Sequence, residues 1–496
     1  MLLFAFPTLG QPDRPNIVVI LADDLGYGDL SIYGASLVDT PNIDRLAQEG
    51  IRLTDAHAPN AVCAPTRYSI LTGSYFMRAQ HIWDGRLLLH DSEITLPGVL
   101  KSSGYDTAAI GKWHLGFGHE GVPDWNEELK PGPLEVGFDY YFGTPNSHNE
   151  PPWVFVENHF VVDLEKQDPI RMVSREQAKQ RKIKHYGWGA SEGAERAHAA
   201  RPEDQIDLML TDKAVDFIQH SRSNPFFLYL AFQAPHVPLT PSKEFKGGSN
   251  AGVYGDFIEQ LDFAVGRVLQ ALEAKGLKEN TLVVLTSDNG GYFHSVLKNS
   301  EHRPNGELLG QKTDSWEGGH RVPFIARWPG QIPENTESDH LFALTDLMAT
   351  LSSAAGVAVP EGAAPDSLNQ IQVLKNPFDA AVVRNELLIE GTECFSLRQG
   401  KWLFIPAKGS CGFTTHQNEN LRWGPWSRYG FENSQFDDLG ALRDNAHEVQ
   451  LYKLDTDPTQ KTNVAGDVPD QAVALKSRLG EILSECYERK WYSCEH

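Results

Sequence analysis

The chain has 496 residues, 41 % of them hydrophobic, and a formal charge of −22. That is ample apolar material for a large core, and such acidity excludes nucleic acid or an anionic membrane surface as the main partner, because both require basic patches. It also sets a condition: an anionic substrate needs a locally positive pocket in a negative molecule.

No run reaches the ~20 apolar residues that span a bilayer. Met1-Leu2-Leu3-Phe4-Ala5-Phe6, apolar but short and without a basic n-region, reads as the stump of a signal peptide or as the frayed N-terminus of a cytosolic protein; the first reading gives the expected periplasmic or secreted location. The apolar run Asn16–Ala22, ending in Asp23-Asp24, reads as a buried strand of a parallel sheet. Thr40-Pro41 opens a helix over Asn42–Glu49 that Gly50 ends. Pro65 suits the first turn of a helix over Thr66–Thr72, which places Cys63 at a helix N-terminus. A helix over Thr95–Ser103 precedes a short strand, Asp106–Ile110, that leads into Gly111-Lys112-Trp113-His114.

The segment 115–205 is rich in Gly, Pro, His and aromatics without periodicity, and reads as loops over the sheet. A helix over Asp212–His220 leads to the strand Phe226–Phe232. A longer helix over Gly252–Lys275, with Phe257, Leu261, Ala264, Val268 and Leu272 at helical spacing, leads to the strand Thr281–Thr286. This alternation predicts an α/β fold: a large mixed, mostly parallel sheet flanked by helices, over residues 1–380. Beyond about 380 the texture changes. Glu386–Glu390, Phe395–Pro406 with a turn near Gln399-Gly400, and a closing helix over Leu475–Glu488 predict a smaller C-terminal α+β subdomain with an antiparallel sheet, residues 381–496.

The strands end in polar, chemically capable residues, and in open α/β sheets ligands bind beyond the carboxyl ends of strands. Asp23 and Asp24 would repel each other unless a cation or several donors neutralise them. With Asp288 and Asn289 they form a hard oxygen set that fits Ca²⁺ or Mg²⁺ better than Zn²⁺. Taken singly, each is also an ordinary turn residue. Lys112, His114, His236 and Lys312 follow strands or precede Glu317-Gly318-Gly319-His320-Arg321; alone, each would read as a surface lysine or a satisfied histidine. His294, Glu301, His302 and Arg303 either contact substrate or decorate a loop. Trp423, Trp426, Tyr429 and Phe431 either stack on sugar rings or pack the subdomain. Asp314 reads as a turn residue. With Cys63 set apart, four cysteines allow three pairings, Cys394–Cys411 with Cys486–Cys494 among them, and reduced thiols are the alternative.

Cys63-Ala64-Pro65-Thr66-Arg67, running through Tyr68-Ser69-Ile70 into Leu71-Thr72-Gly73, resembles the signature of the type I sulfatases of the alkaline phosphatase superfamily. Ala64 and Thr66 stand where that family often has Ser. The flanks of Asp23, Lys112, His236, Asp288 and Lys312 resemble sulfatase motifs in the same order, and the likeness extends from Asn16 to the hairpin-like Leu451–Pro458 and Asn463. The resemblance implies that Cys63 is oxidised to formylglycine by a formylglycine-generating or anaerobic sulfatase-maturating enzyme. It implies Ca²⁺ held by Asp23, Asp24, Asp288, Asn289 and the residue at Cys63. It implies catalytic roles for Cys63, Arg67, Lys112, His114, His236 and Lys312: the hydrated aldehyde attacks sulfur with Asp288 taking its proton, His236 with Lys312 protonates the departing alcohol, and His114 assists release of sulfate. His294, Arg303 and His320 are the expected substrate contacts. The expected reaction is hydrolysis of a sulfated saccharide such as a sulfated galactan. A formylglycine-dependent phosphonate or phosphodiester hydrolase and a non-catalytic sulfated-glycan-binding protein are the alternatives.

Overall fold

A computed structural model of the protein describes residues 14–79, 84–174, 176, 192–194, 201–220, 222–412, 414, 431–437 and 441–488. Its centre is the strand Asn16–Asp23, paired in parallel with Phe226–Pro235 on one side and Thr281–Ser287 on the other. From Phe226–Pro235 the ladder continues in parallel to Asp106–Gly111 and Tyr140–Gly143, then ends in two short antiparallel strands, Val156–Glu157 and Phe160–Val161. On the other flank Phe324–Arg327 and Ile51–Leu53 pair antiparallel, and Thr336–Ser338 completes a ten-stranded sheet. The expected mixed, mostly parallel sheet is present.

The three central strands are buried along their whole length, which is why they read as continuous apolar runs rather than alternating ones. Alternation is instead between two cores. Ile17, Val19 and Leu21 face the core that also holds Tyr68, Ile70 and Leu71 of the helix Cys63–Thr72. Val18, Ile20 and Ala22 face the core built from the helices Pro41–Gln48, Ile206–Gln219 and Gly252–Ala274. The second of those helices begins at Ile206 rather than at Asp212, so its first turn reaches the sheet.

Two glycines mark places where the sheet permits no side chain. A Cβ on Gly111, at φ +119, would lie 1.8 Å from the carbonyl oxygen of Ala231. One on Gly290 would lie 1.9 Å from that of Gly318. Each adjoins a candidate site residue, Lys112 and Asn289.

A separate four-stranded antiparallel sheet comprises Glu386–Glu390, Phe395–Gln399, Trp402–Ile405 and Gln450–Lys453. The turn expected near Gln399-Gly400 divides the run over 395–406 into two strands, Phe395–Gln399 and Trp402–Ile405. The closing helix is Pro469–Glu488, longer than expected, and it buries Ala472, Leu475, Leu479, Ile482 and Cys486 in the sheet's core. Cys394 and Cys411 are disulfide-bonded, whereas Cys494, suggested as the partner of Cys486, lies outside the described residues. So do Trp423, Trp426 and Tyr429. The small sheet touches the large domain where Glu390 bridges to Asn60, three residues before Cys63. Among the described residues no helix is long and apolar enough to cross a membrane.

Candidate active site

Cys63 opens the helix Cys63–Thr72 after Val62 in extended conformation. Thr66 Oγ1 donates to the Asn60 carbonyl at 2.9 Å and Asn60 Oδ1 accepts from Val62 N at 3.0 Å, so the approach to the helix is held by its own side chains. The sulfur therefore lies at the helix N-terminus, where unpaired amides and the helix dipole favour negative charge. One turn on, Arg67 is fully buried. Its guanidinium donates twice to Asp288 Oδ2, at 3.0 and 2.6 Å, and once to the Lys112 carbonyl at 3.0 Å.

Four strand ends converge here. Asp23 and Asp24 end the central strand and Asp288-Asn289 its neighbour; Lys112 and His114 follow a third, and His236 the fourth. Lys112 Nζ lies 2.7 Å from Asp23 Oδ2. Lys312 Nζ lies 2.6 Å from Asp24 Oδ1 and 3.8 Å from the Cys63 sulfur. Asn289 Nδ2 donates to Asp24 Oδ1 at 2.8 Å, and Asp24 N donates to Asp288 Oδ1 at 3.2 Å. Asp24, His114 and Thr313 hold left-handed backbone, φ +65, +55 and +83, a conformation that costs about 1–3 kcal/mol for a residue with a side chain. The rest of the fold imposes it where the chain must turn side chains toward one point.

The charges perturb one another. Burial opposes ionisation of Asp24, but Lys312 and His236 outweigh it and hold its carboxyl well below the usual range. Burial also opposes the Cys63 thiolate, yet Lys112 and Lys312 bring the thiol below its ordinary value. Asp288 moves the other way: burial dominates and raises it despite Arg67. His236 is driven down to about 3 by burial, so the ring is neutral. Its Nδ1 lies 2.7 Å from the Val237 carbonyl and must carry the proton, which leaves the Nε2 lone pair facing Ser147 Oγ at 3.2 Å and Asp24 Oδ2 at 3.7 Å.

Two residues of this cluster escaped the sequence reading. Ser147 accepts from Lys112 Nζ at 3.0 Å and joins it to His236. Glu150 approaches His114 Nε2 at 3.3 Å, and against the cost of burial that histidine holds its carboxyl near about 2. His114 rises above its ordinary value despite burial and Lys112, because Cys63 and Glu150 favour the imidazolium. The legible signal was Tyr140-Tyr141-Phe142-Gly143, a short aromatic strand whose end feeds the same crevice.

The expected substrate contacts divide. His294 packs against Tyr254 and Tyr292 and feels Asp24, His236 and Lys312, with burial lowering it to about 4. Arg303 pairs with Glu307 at 2.6 Å and lies over the Phe431 ring. His320 is fully buried, its ring nitrogens placed 3.0 Å from His57 Nδ1 and 3.2 Å from the Ser315 carbonyl, so it presents no face to a substrate. The one-turn helix Glu317–His320 buries that side chain along with the rest of the turn. Asp314 is likewise internal, accepting from Thr414 and Gln311 N.

The same geometry bears on a metal ion. Asp23 Oδ1 and Asn289 Oδ1 are buried without a hydrogen-bond partner. Ligand atoms of Asp23, Cys63 and Asp288 lie within 4.8 Å of one another, as do those of Asp23, Asp24 and His236. The orphaned oxygens of Asp23 and Asn289, beside the carboxylates of Asp24 and Asp288, fit a hard divalent cation.

Residues 15–357 match the Sulfatase family model. The chain is 33 % identical to the N-acetylgalactosamine-6-O-sulfatase of Bacteroides thetaiotaomicron, over 95 % of this chain and 93 % of that protein. It is 35 % identical to the N-acetylgalactosamine-6-sulfatase of Rattus norvegicus, over 96 % and 93 %. A Bacteroides thetaiotaomicron sulfatase, solved in work on glycosaminoglycan metabolism, superposes with a TM-score of 0.82 at 32 % identity, covering 95 % of this chain and 99 % of that one. Matched to that family model over residues 15–357 and to sulfatases along almost its whole length, the chain is a sulfatase, a member of the Sulfatase family.

Proposed function

We propose that this sulfatase removes a 6-O-sulfate from an N-acetylgalactosamine or galactose residue of a sulfated glycan. The observation that carries the reaction is Lys312 Nζ at 3.8 Å from the Cys63 sulfur, with Lys112 paired to Asp23 and Arg67 to Asp288 in the same buried cluster, in a chain of net charge −22. That local positive hole suits three sulfate oxygens and little else in so acidic a protein. The sugar is taken from the relatives' specificity. It keeps the galacto configuration expected of a sulfated galactan and moves the preference to the amino sugar.

The roles are assigned as follows. Formylglycine, formed at Cys63 by a maturation enzyme, would supply when hydrated a hydroxyl nucleophile and a second hydroxyl whose loss of a proton lets sulfate depart and re-forms the aldehyde. Ca²⁺ would be held by Asp23, Asp24, Asp288 and Asn289, and supplies charge that polarises the nucleophile and a sulfate oxygen. Lys112 and Lys312 hold the sulfate oxygens. Arg67 fixes Asp288, which takes the first proton. His236, neutral in the free enzyme, must first take up a solvent proton at Nε2 once the anionic ester lies beside it, and gives that proton to the departing alcohol, with Ser147 linking the ring to Lys112. Glu150 supports the charge on His114 when that ring accepts a proton next to residue 63.

The test uses protein co-expressed with a formylglycine-generating enzyme. The tryptic peptide containing Cys63 is expected to lose about 18 Da, the difference between CH₂SH and CHO. N-acetylgalactosamine 6-sulfate is expected to be hydrolysed faster than the 4-sulfate, and dialysis against a calcium chelator to remove activity that Ca²⁺ restores. An unmodified thiol in active protein overturns the nucleophile. Preference for the 4-sulfate or for carrageenan fragments overturns the sugar, and preference for a phosphonate monoester overturns the ester class.

A further inference from the structure

The strand Phe226–Pro235 leaves its ladder just before His236. Its register with the central strand runs Leu21↔Ala231 and then Asp23↔Pro235, so two residues on one side answer four on the other. Pairing with Asp106–Gly111 stops at Ala231. The amides of Gln233 and Ala234 therefore lose their ladder acceptors in a fully buried place, which costs about 1–3 kcal/mol for each unpaired group. Asp207 takes both. From the first turn of the helix Ile206–Gln219, its Oδ1 accepts from Gln233 N at 2.9 Å and its Oδ2 from Ala234 N at 3.0 Å.

Asp207 is 1 % exposed and has no ion-pair partner among the described residues. Burial pushes it up to about 7 against the two amides, with Asp23 adding to the rise. A helix-capping carboxylate would face its own helix's amides in solvent at far lower cost. This one is turned across to the strand, and what it stabilises there is a single turn. His236 N donates back to the Gln233 carbonyl at 2.9 Å, which fixes the ring beside Ser147 and Asp24. The Gln233 side chain continues the brace to Thr144 and the Asn146 carbonyl, the stretch that carries Ser147.

We propose that Asp207 is a positioning residue for His236: its carboxylate clamps the bulge that sets the imidazole over the oxygen of the departing alcohol. This rests on the reading of His236 as the proton donor. A misplaced donor costs most when the leaving group needs the proton. A sugar alkoxide needs it; 4-nitrophenolate does not.

The experiment compares kcat/KM of mature wild type, Asp207→Asn, His236→Ala and the double variant on N-acetylgalactosamine 6-sulfate and on 4-nitrophenyl sulfate. Asp207→Asn is expected to lose about 10²-fold on the sugar sulfate and less than about 3-fold on the aryl sulfate. In the His236→Ala background it is expected to cause no further loss on either substrate. Equal losses on both substrates, or a further loss in that background, overturn the inference. Where Asp207→Asn does not fold, Asp207→Glu, which keeps both oxygens displaced by one methylene, is held to the same comparison. A His236→Ala loss confined to the sugar sulfate, with Asp207→Asn like wild type, removes Asp207 alone. A His236→Ala loss equal on both substrates removes the donor reading and this inference with it.

Discussion

Lys312 shows how much of this site depends on single atoms. Its ammonium touches both Asp24 Oδ1 and the Cys63 sulfur, and burial is outweighed by Asp24 so that the charge is retained. Lys312→Ala is therefore expected to lower kcat by about 10²–10³-fold, the usual cost of removing one preorganised donor to a developing anion. Lys312→Arg should not restore it, because a planar fork cannot replace a compact ammonium between two fixed partners. Steady-state kinetics on a sugar sulfate check both; wild-type rates in the Arg variant would refute the point-contact account. Glu390 gives the pH prediction. Burial pushes its carboxyl up to about 7, and its Oε2 accepts from Asn60 Nδ2 at 2.5 Å. The folded chain thus holds this proton more tightly than the unfolded chain, whose value is 4.5. The stabilisation is complete below pH 4.5 and is lost as pH rises to about 7. Glu390→Gln, neutral throughout, should remove a loss of about 3 kcal/mol. Melting temperatures at pH 5 and pH 8 are expected to differ less in the variant than in wild type.

Among the elements, the disulfide loop of the small sheet does more than close on itself. Ser315 N donates to the Ser410 carbonyl at 2.7 Å, Thr392 N to the Thr313 carbonyl at 3.0 Å, and Glu393 N to the Cys411 carbonyl at 3.0 Å. Cys394 and Cys411, 17 residues apart, thereby clamp the turn that presents Lys312. A cross-link closing a loop of this size stabilises by about 3 kcal/mol. The double variant Cys394→Ser, Cys411→Ser is expected to lose melting temperature and, more than proportionately, kcat. Thermal denaturation and kinetics under non-reducing conditions read both; a lower melting temperature with unchanged kcat would confine the bridge to stability.

At the scale of the molecule, the charge of −22 opposes what the pocket attracts. Distant carboxylates repel an approaching sulfate ester, while Lys112, Lys312 and Arg67 hold it only at contact. Salt screens the long-range term first, since the Debye length falls to about 8 Å at physiological ionic strength. Raising NaCl from about 20 to about 150 mM is therefore expected to raise kcat/KM for an anionic glycan, with the gain in KM rather than kcat. A fall in kcat/KM over that range would mean that the positive pocket dominates at long range.

The sequence by itself determined the strand cores, the helix that begins at Cys63, the two sheets and the cations that follow strand ends. Each rests on local physics: apolar runs of strand length, Pro in a first turn, Gly at stops, and charged residues that the core would not accept without partners. It did not show Ser147, Glu150 or Asp207, because each acts through a neighbour distant in the chain: Lys112 and His236, His114, and the amides of Gln233 and Ala234. It also read His320 as a substrate contact from its motif, whereas packing turns that ring inward onto His57. Tertiary structure decided these because a side chain's partner is set by sheet register and by the direction of a turn, and neither is written in the residue that carries the group.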